Sequence, residues 1–451
     1  MNNFDQAYIV TVDMGYGHQR ASYPLKNIAA CPLEWEDGGE IITANNYAGI
    51  PKSDRKKWRS SRRIYEIVSR MKGIPLIGDK IFDIMDYFQR IEPFYPKRDL
   101  SEPTMQLKQI YRMIRGGWGK HLIETLNKDP KPYFTTFFTT AFFADEHGYE
   151  GEIYCLCTDT DIARAWAPLK PKDSDINYLA PTRRAKERLK LYGVEEEKIY
   201  TTGFPLPEEN TGAEDGLQEL REDLGCRIAN LDPNQIFQRK YEKTLQDYLG
   251  EDYCDLESER PLTITFAVGG AGAQRSIGTT ILNSLHELID EGEVQLNLIA
   301  GSRNDVYRYY QKELEQLQLQ HQHGDKLNIV FDSQKYKYFE KFNKVLKTTD
   351  VLWTKPSELT FYSALGLPII MAPTIGCQEE FNRDWLLSIG AGFDQEDPEN
   401  TDQWLFDWLE SGWLAEAAME GFLDAPINGT NNIEDVILKG ERSEIDEVHL
   451  L

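Results

Sequence analysis

At 451 residues the sequence is too long for one ordinary hydrophobic core and suits two domains of about 200 residues each. Its hydrophobic content of 41% and aromatic content of 12% exclude intrinsic disorder as the main state. A formal charge of −24 excludes general nucleic-acid binding, because a polyanion would be repelled over most of the surface.

In chain order, the first apolar run is AYIVTV (7–12). No basic stretch precedes it and it leads straight into a loop, so it reads as a strand and not as a secretory leader. No segment reaches the roughly 18 uninterrupted apolar residues that span a bilayer. The strand opens into TVDMGYGHQRASYPL (11–25), where Gly15 and Gly17 precede His18 at the point where a helix should begin. From Lys52 to Lys120 there are 17 Lys or Arg against 8 Asp or Glu, a local excess of basic charge in an acidic chain. Trp58, Ile64, Ile67, Ile74, Ile77, Ile81, Ile84, Phe88, Phe94 and Tyr95 are interleaved with those charges. The stretch 52–120 reads either as solvated helical faces or as a face for an anionic membrane surface or a lipid.

Further strands are expected near 134–138, at 153–157 (IYCLC) and at 199–202, with a helix from Pro181 to Tyr192. Cys155 and Cys157 alternate along their strand and share one face. The six cysteines are otherwise scattered, which points to reduced core thiols and a cytoplasmic location. Residues 207–258 are acidic, polar and weakly periodic, and are read as a junction or insertion. The pattern then restarts with strands at 263–268, 295–300, 328–331, 350–355 and 367–372, and a helix from about Ile277 to Asp290. The resulting division is 1–206, a first Rossmann-like domain; 207–258, the junction; 259–427, a second Rossmann-like domain; and 428–451, an acidic tail. Strands alternating with helices imply an α/β protein with parallel sheets covered on both faces. Two such series suggest domains facing one another across a cleft at their strand ends.

Three segments could carry chemistry. The first is the loop 11–25, because histidine is the side chain best suited to taking a proton near neutral pH and glycines allow close backbone approach. The second is VGGAGAQRS (268–276), where Gly269, Gly270 and Gly272 follow a buried strand and could cradle a phosphate, with Arg275 adding charge. It lacks the GK[ST] of a P-loop. The third is TKPSELTFYSALGLPIIMAPTIGCQEEFN (354–382). Here Ser357 and Glu358 stand at a helix start, and Gln378, Glu379, Glu380 and Asn382 crowd a loop and the next helix start. Such carboxylates and amides can read sugar and ribose hydroxyls, or can simply cap the helix.

Taken together these segments resemble the GT-B glycosyltransferases that include monogalactosyldiacylglycerol synthase, the processive diacylglycerol glucosyltransferases and the peptidoglycan GlcNAc transferase. GYGHQRAS resembles their GxGHxxAA-type loop, and CTDTDIARAWAP (157–168) is similar to the TD…W segment of the glycolipid enzymes. APTRRAKERLKLYGVEEEKIYTTGFPL (180–206) is similar to the end of their first domain. AVGGAGAQ, IAGSRND (299–305) and TKPSELT…GLP…GCQEEFN resemble the second-domain glycine loop, the Gly-Arg-Asn strand and the donor motif. Ser357-Glu358 replaces that motif's Gly-Gly, and the usual ribose-binding glutamate is absent.

The resemblance implies a hexosyltransferase of GT-B fold that moves a sugar, with inversion, from a nucleotide-diphosphate donor, a UDP-sugar first, to an acceptor hydroxyl that could belong to a lipid. It implies no cofactor and no metal. His18 would be the general base, with Asp13 or Asp159 orienting the imidazole, and Gly15, Gly17 and Trp166 would lie on the acceptor side. The donor would be met by Gly269, Gly270, Gly272, Arg275, Arg303, Lys355, Ser357, Glu358, Gln378, Glu379 and Asn382. A cytoplasmic enzyme, peripheral on the inner membrane face, would follow. Two rivals remain: a nucleotide-sugar epimerase, which acts on the donor alone, and a non-catalytic sugar-nucleotide or lipid-binding protein.

Overall fold

Uninterrupted apolar runs become strands wherever both faces of a sheet are covered, and the described residues form two such sheets. The computed structural model describes residues 4–33, 35, 41–60, 91–212, 216–250, 260–267, 269, 272, 274–320 and 324–441. The chain divides into two compact units. Unit 1 comprises Met1–Leu206, Ile375–Asn382 and Asn428–Leu451, and unit 2 comprises Pro207–Thr374 and Arg383–Ile427.

Unit 1 is built on β1 (Tyr8–Thr11), β2 (Ile41–Thr43), β3 (Tyr133–Thr135), β4 (Ile153–Leu156), β5 (Ile176–Ala180) and β6 (Ile199–Thr201). Their order is β2-β1-β3-β4-β5-β6 and every pairing is parallel. Because β2 lies on one side of β1 and β3 on the other, the winding reverses between β1 and β3. The loops leaving those two strands splay apart there and open a crevice. Cys155 and Cys157 are fully buried, and burial pushes both thiols well above their ordinary range, so they behave as core groups.

Unit 2 is built on β7 (Leu262–Ala267), β8 (Val294–Gly301), β9 (Leu327–Phe331), β10 (Val351–Thr354), β11 (Ile369–Met371) and β12 (Gly392–Asp394). The order β12-β11-β10-β7-β8-β9, again all parallel, places the reversal between β7 and β10. The expected α/β class and parallel sheets are therefore both present, and each unit is Rossmann-like. The sequence reading names no strand at β2, β5 or β12.

The segment 207–258 contributes the helix Gln218–Leu231 to unit 2. Its Arg227 is 2% exposed and donates to the carbonyls of Thr349 (2.7 Å), Leu365 (2.7 Å), Gly366 (3.2 Å) and Leu346 (3.3 Å). One guanidinium thereby bonds carbonyls at the ends of two helical segments. Beyond residue 427, the helix Gly429–Glu434 belongs to unit 1, where Thr430 Oγ1 donates to the Leu206 carbonyl at 2.6 Å and Asn432 Nδ2 to the Thr202 carbonyl at 3.0 Å. Ile433, Val436 and Ile437 of this stretch are buried. Among the described residues no helix is long and apolar enough to cross a membrane. Of the basic stretch 52–120, residues 61–90, which carry Ile64 through Phe88, lie outside the described residues.

The docking of this last helix has a clear consequence. A Cβ on Gly429 would stand 2.0 Å from the Phe204 carbonyl oxygen, whereas at Gly440 it would meet open space. Gly429→Ala should cost about 3 kcal/mol or more, and Gly440→Ala only the roughly 1 kcal/mol of its left-handed backbone. Paired thermal unfolding scans of the two variants measure the difference.

Candidate functional site

β1 runs into the glycine turn because Gly15 adopts φ 124°, a conformation that side-chain-bearing residues avoid. The helix Tyr16–Ser22 follows and carries His18 on its first turn. At the adjacent strand end, after β3, the Thr136 carbonyl accepts a hydrogen bond from His18 Nδ1 at 2.7 Å. A carbonyl has no proton to give, so Nδ1 holds the hydrogen, and in the neutral ring Nε2 is then the basic nitrogen. The same threonine is bound a second time. Its Oγ1 donates to the His18 carbonyl at 3.0 Å and pairs with Thr11 Oγ1 at 3.1 Å. Phe137 meets the imidazole edge-on with ring centroids 4.9 Å apart.

His18 lies on the wall of a cavity of about 410 Å³, all of whose lining belongs to unit 1. Five aromatic side chains, Trp58, Trp118, Phe137, Phe138 and Trp166, line it, and Asp159, Asp161 and Gln378 are among its polar residues. The aromatic rings are in mutual contact: Trp118 with Trp58 at 4.9 Å, Trp58 with Phe137 at 6.2 Å, Phe137 with Phe138 at 4.7 Å and Phe138 with Trp166 at 5.3 Å. A mostly apolar hollow of this size with a few convergent polar groups is the usual form of a small-molecule site.

The loop after β4 supplies Asp159, Asp161, Ile162, Ala163, Ala165 and Trp166 to the lining. Asp161 and Arg188 form a two-bond ion pair, Nε to Oδ1 and Nη2 to Oδ2 at 2.8 Å each, with both side chains at most 1% exposed. Arg188 also donates to the Glu92 carbonyl at 2.8 Å. Asp159, two residues earlier, accepts from Asn382 Nδ2 at 3.1 Å, while Asn382 Oδ1 accepts from Thr160 N at 2.9 Å and Thr160 Oγ1 at 3.0 Å. Asn382 is fully buried, so both ends of its amide serve to hold this loop.

The residues singled out in the sequence therefore separate. His18, Asp159, Trp166 and Gln378 share the cavity wall. Asp13 exchanges backbone bonds with the Asn45 side chain at 2.9 and 3.2 Å. Gly15 is exposed and Gly17 half-buried in the turn before His18. Glu379 is 6% exposed and accepts from the Ile375 amide at 2.6 Å, which is a cap on its own turn. Gln378, Glu379 and Asn382, read as donor-side residues, are part of unit 1.

The others cluster in unit 2 at the strand ends flanking its reversal point, β7 and β10, and at β8 beside them. A Cβ on Gly269 would meet Lys355 Cε at 2.6 Å, so the lysine stem lies directly across that glycine. Gly272 (φ 64°) faces Val306 and Arg303. Arg303 makes a two-bond pair with Asp305 at 3.0 and 2.8 Å, and Arg275 stands 3.8 Å from the same carboxylate with its guanidinium over Tyr309. Hydrogen bonds from Arg303 hold the Asp305 carboxyl below its ordinary range. Ser357 precedes the 3₁₀ helix Glu358–Leu365, and its carbonyl accepts from Thr360 N at 3.0 Å and Thr360 Oγ1 at 2.7 Å. Gly270 lies outside the described residues.

Residues 254–341 match the model of a domain family described as a domain of unknown function, DUF6938. No curated protein sequence matches the chain. Among solved structures the chain is similar to MurG of Acinetobacter baumannii, at 13% identity and a TM-score of 0.46 over 96% of this chain and 99% of that one. It is also similar to MnaA of S. aureus, solved with UDP, at 13% identity and a TM-score of 0.43 over 81% and 86%. A third likeness is to the UDP-GlcNAc 2-epimerase of Neisseria meningitidis bound to UDP-GlcNAc, at 13% identity and a TM-score of 0.43 over 75% and 84%.

Sequence reasoning named Trp58 only within the basic stretch 52–120, and it missed Thr136, Trp118, Phe137 and Phe138. The strand expected near 134–138 took in Thr136–Phe138, whereas β3 ends at Thr135 and leaves these residues at its end. The Asp161–Arg188 pair was missed as well, and it generates a prediction. Arg188→Ala leaves a buried carboxylate uncompensated and should destabilise the protein by about 3–5 kcal/mol. The Asp161→Ala/Arg188→Ala double variant should recover much of that loss, and denaturant midpoints at constant m-value measure both.

Proposed function

We propose that the chain is an inverting glycosyltransferase that uses a nucleotide-diphosphate sugar, a UDP-sugar first, and an acceptor with a hydroxyl group on an apolar body. The single observation that carries this reading is the His18 tautomer. An Nδ1–H locked on the Thr136 carbonyl leaves the basic Nε2 on a ring in the wall of an aromatic cavity. A free alcohol is a weak nucleophile, and a positioned imidazole that takes its proton as the new bond forms contributes about 10²–10⁴-fold in rate.

In this reading unit 1 supplies the acceptor cavity and the base. Arg275, Arg303 and Lys355 of unit 2, beside Gly269 and Gly272, supply the positive charge for the departing diphosphate, and fixed donors aimed at developing charge are the largest usual catalytic effect. Glu358, at the start of the 3₁₀ helix that follows β10, takes the ribose hydroxyls in place of the glutamate absent from the related motif. Asp159 lies on the cavity wall, where its carboxylate stabilises the imidazolium that forms. The aromatic cavity favours transfer over epimerisation, since an epimerase acts on the donor alone and has no use for about 410 Å³ of apolar space next to its base. A lipid acceptor would be met at an anionic membrane surface. The helix Met105–Arg115 suits that role, with Gln106, Ile110 and Met113 on the cavity and Lys108, Arg112 and Arg115 exposed.

Two measurements test the proposal. UDP or a UDP-sugar should raise the unfolding midpoint of both the wild type and His18→Ala, while Glu358→Gln should shrink the shift. His18→Ala should lower UDP release in the presence of a hydroxylated amphiphile by about 10²–10⁴-fold. Full turnover by His18→Ala would refute the base assignment, and absence of any nucleotide shift would refute the donor class.

A further inference from the structure

The sign of the charge on the cavity wall limits what the cavity admits. Asp159 and Asp161 both belong to the lining, and among the described residues that lining holds no lysine or arginine. Asp161 is neutralised by its two-bond pair with Arg188. The Asn382 amide that donates to Asp159 Oδ1 at 3.1 Å is uncharged, so it fixes that carboxylate without cancelling its charge. On the same loop, Arg164 turns its guanidinium away to the carbonyls of Ser101, Ala167 and Pro168, whose dipoles oppose its charge. Asp159 itself is half-buried. A charge acts across a hollow of low dielectric without having to touch its partner, so the effect needs no oxygen aimed at the ligand.

The remainder of the lining sets the form of the cation. Phe137, Phe138, Trp58, Trp118 and Trp166 share the hollow with Asp159. A primary ammonium brings three N–H donors, each of which needs an acceptor to replace water. A quaternary ammonium has no N–H and spreads its charge over methyl groups, which apolar walls accommodate and to which aromatic faces are attracted. An anionic ligand would be repelled by the same carboxylate. An aromatic hollow without a net charge would, by contrast, favour a neutral ligand over a cation of the same shape, because the cation loses more hydration on entry.

We propose that the cavity of unit 1 selects cations, and that its ligand is a hydroxylated quaternary ammonium compound whose positive charge lies in the field of Asp159. The proposal rests on the transferase reading only for placing the hydroxyl at His18.

The test uses the full-length protein without donor at about pH 8, where an ordinary imidazole is neutral. Two probes of one shape are compared by isothermal titration: benzyl(2-hydroxyethyl)dimethylammonium and its carbon isostere, 3,3-dimethyl-4-phenylbutan-1-ol. Wild type should bind the cation about tenfold more tightly than the neutral alcohol. Asp159→Asn keeps an oxygen for the Asn382 amide and removes the charge, so it should bring the ratio to one or below. Gln378→Glu adds a carboxylate to the lining and should raise the ratio above that of wild type. Equal or tighter binding of the neutral alcohol by wild type, an unchanged ratio in both variants, or no binding of either probe would overturn the proposal. The two readings fail separately. If the cation is preferred but no sugar reaches it from any donor, the transferase reading falls and the charge selection stands. If sugar is transferred and the neutral alcohol is the better ligand, the charge selection falls alone.

Discussion

The hydrogen bond between His18 Nδ1 and the Thr136 carbonyl is the constraint on which the candidate chemistry depends. It joins the ends of two strands, β1 and β3, that are separated by more than a hundred residues in the chain and held side by side by sheet register. The bond is reinforced from the other direction. If Thr136 Oγ1 gives its proton to the His18 carbonyl, then Thr11 Oγ1 must give its own to Thr136, and three groups from both loops become a single fixed unit. The orientation of the imidazole is thereby set by the sheet and not by the glycine turn, which has only to let the chain change direction. A base whose tautomer is fixed before the ligand arrives needs no reorganisation during reaction, which is the condition under which polar groups act most strongly.

A comparable division of labour separates two acidic residues on one loop. Asp159 and Asp161 are two positions apart and both line the cavity, yet Asp161 is consumed by Arg188 in a buried two-bond pair while Asp159 is held by the Asn382 amide. Burying two charges is costly, and such a pair often contributes little net stability compared with an apolar replacement. What it supplies here is position: Arg188 is on the helix Arg183–Leu191, so the pair ties the loop to a rigid element. Asn382 completes the arrangement by binding Thr160 through one end of its amide and Asp159 through the other. Arg188 and Asn382, which hold this wall, are not among the residues that line the cavity.

Much of the fold was legible because buried parallel strands are plain apolar runs, as TITFAV, QLNLIA and LPIIMA show. The missed strands have physical reasons. β2 and β12 are three-residue edge strands, with too few residues to show any period. β5 reads INYLA with half-buried Asn177 inside it, and it becomes a strand because β4 and β6 pair with it on both sides. Within the site, His18 was conspicuous because its glycine context is unusual, whereas Thr136 acts through a backbone carbonyl, and every residue has one. Asn382 shows the opposite difficulty. An amide beside two glutamates invites a ligand-binding reading, and only the partners of its two ends reveal that it fastens a loop.

Unit 2 reaches a related solution through a different winding order. Its reversal falls between β7 and β10, and there Gly269 and Lys355 touch. Any side chain at 269 would displace the aliphatic stem of the lysine, so this glycine serves the placement of a charge as much as the freedom of the backbone. Arg303 and Arg275 share one carboxylate, Asp305. Asp305 therefore does more than neutralise: by holding the Arg303 guanidinium in a two-bond grip, it keeps one cation in a fixed orientation beside Gly272. Under the proposed function, a diphosphate arriving at these strand ends would meet cations held in place, and an alcohol in unit 1 would meet an imidazole whose Nδ1 is already committed to Thr136.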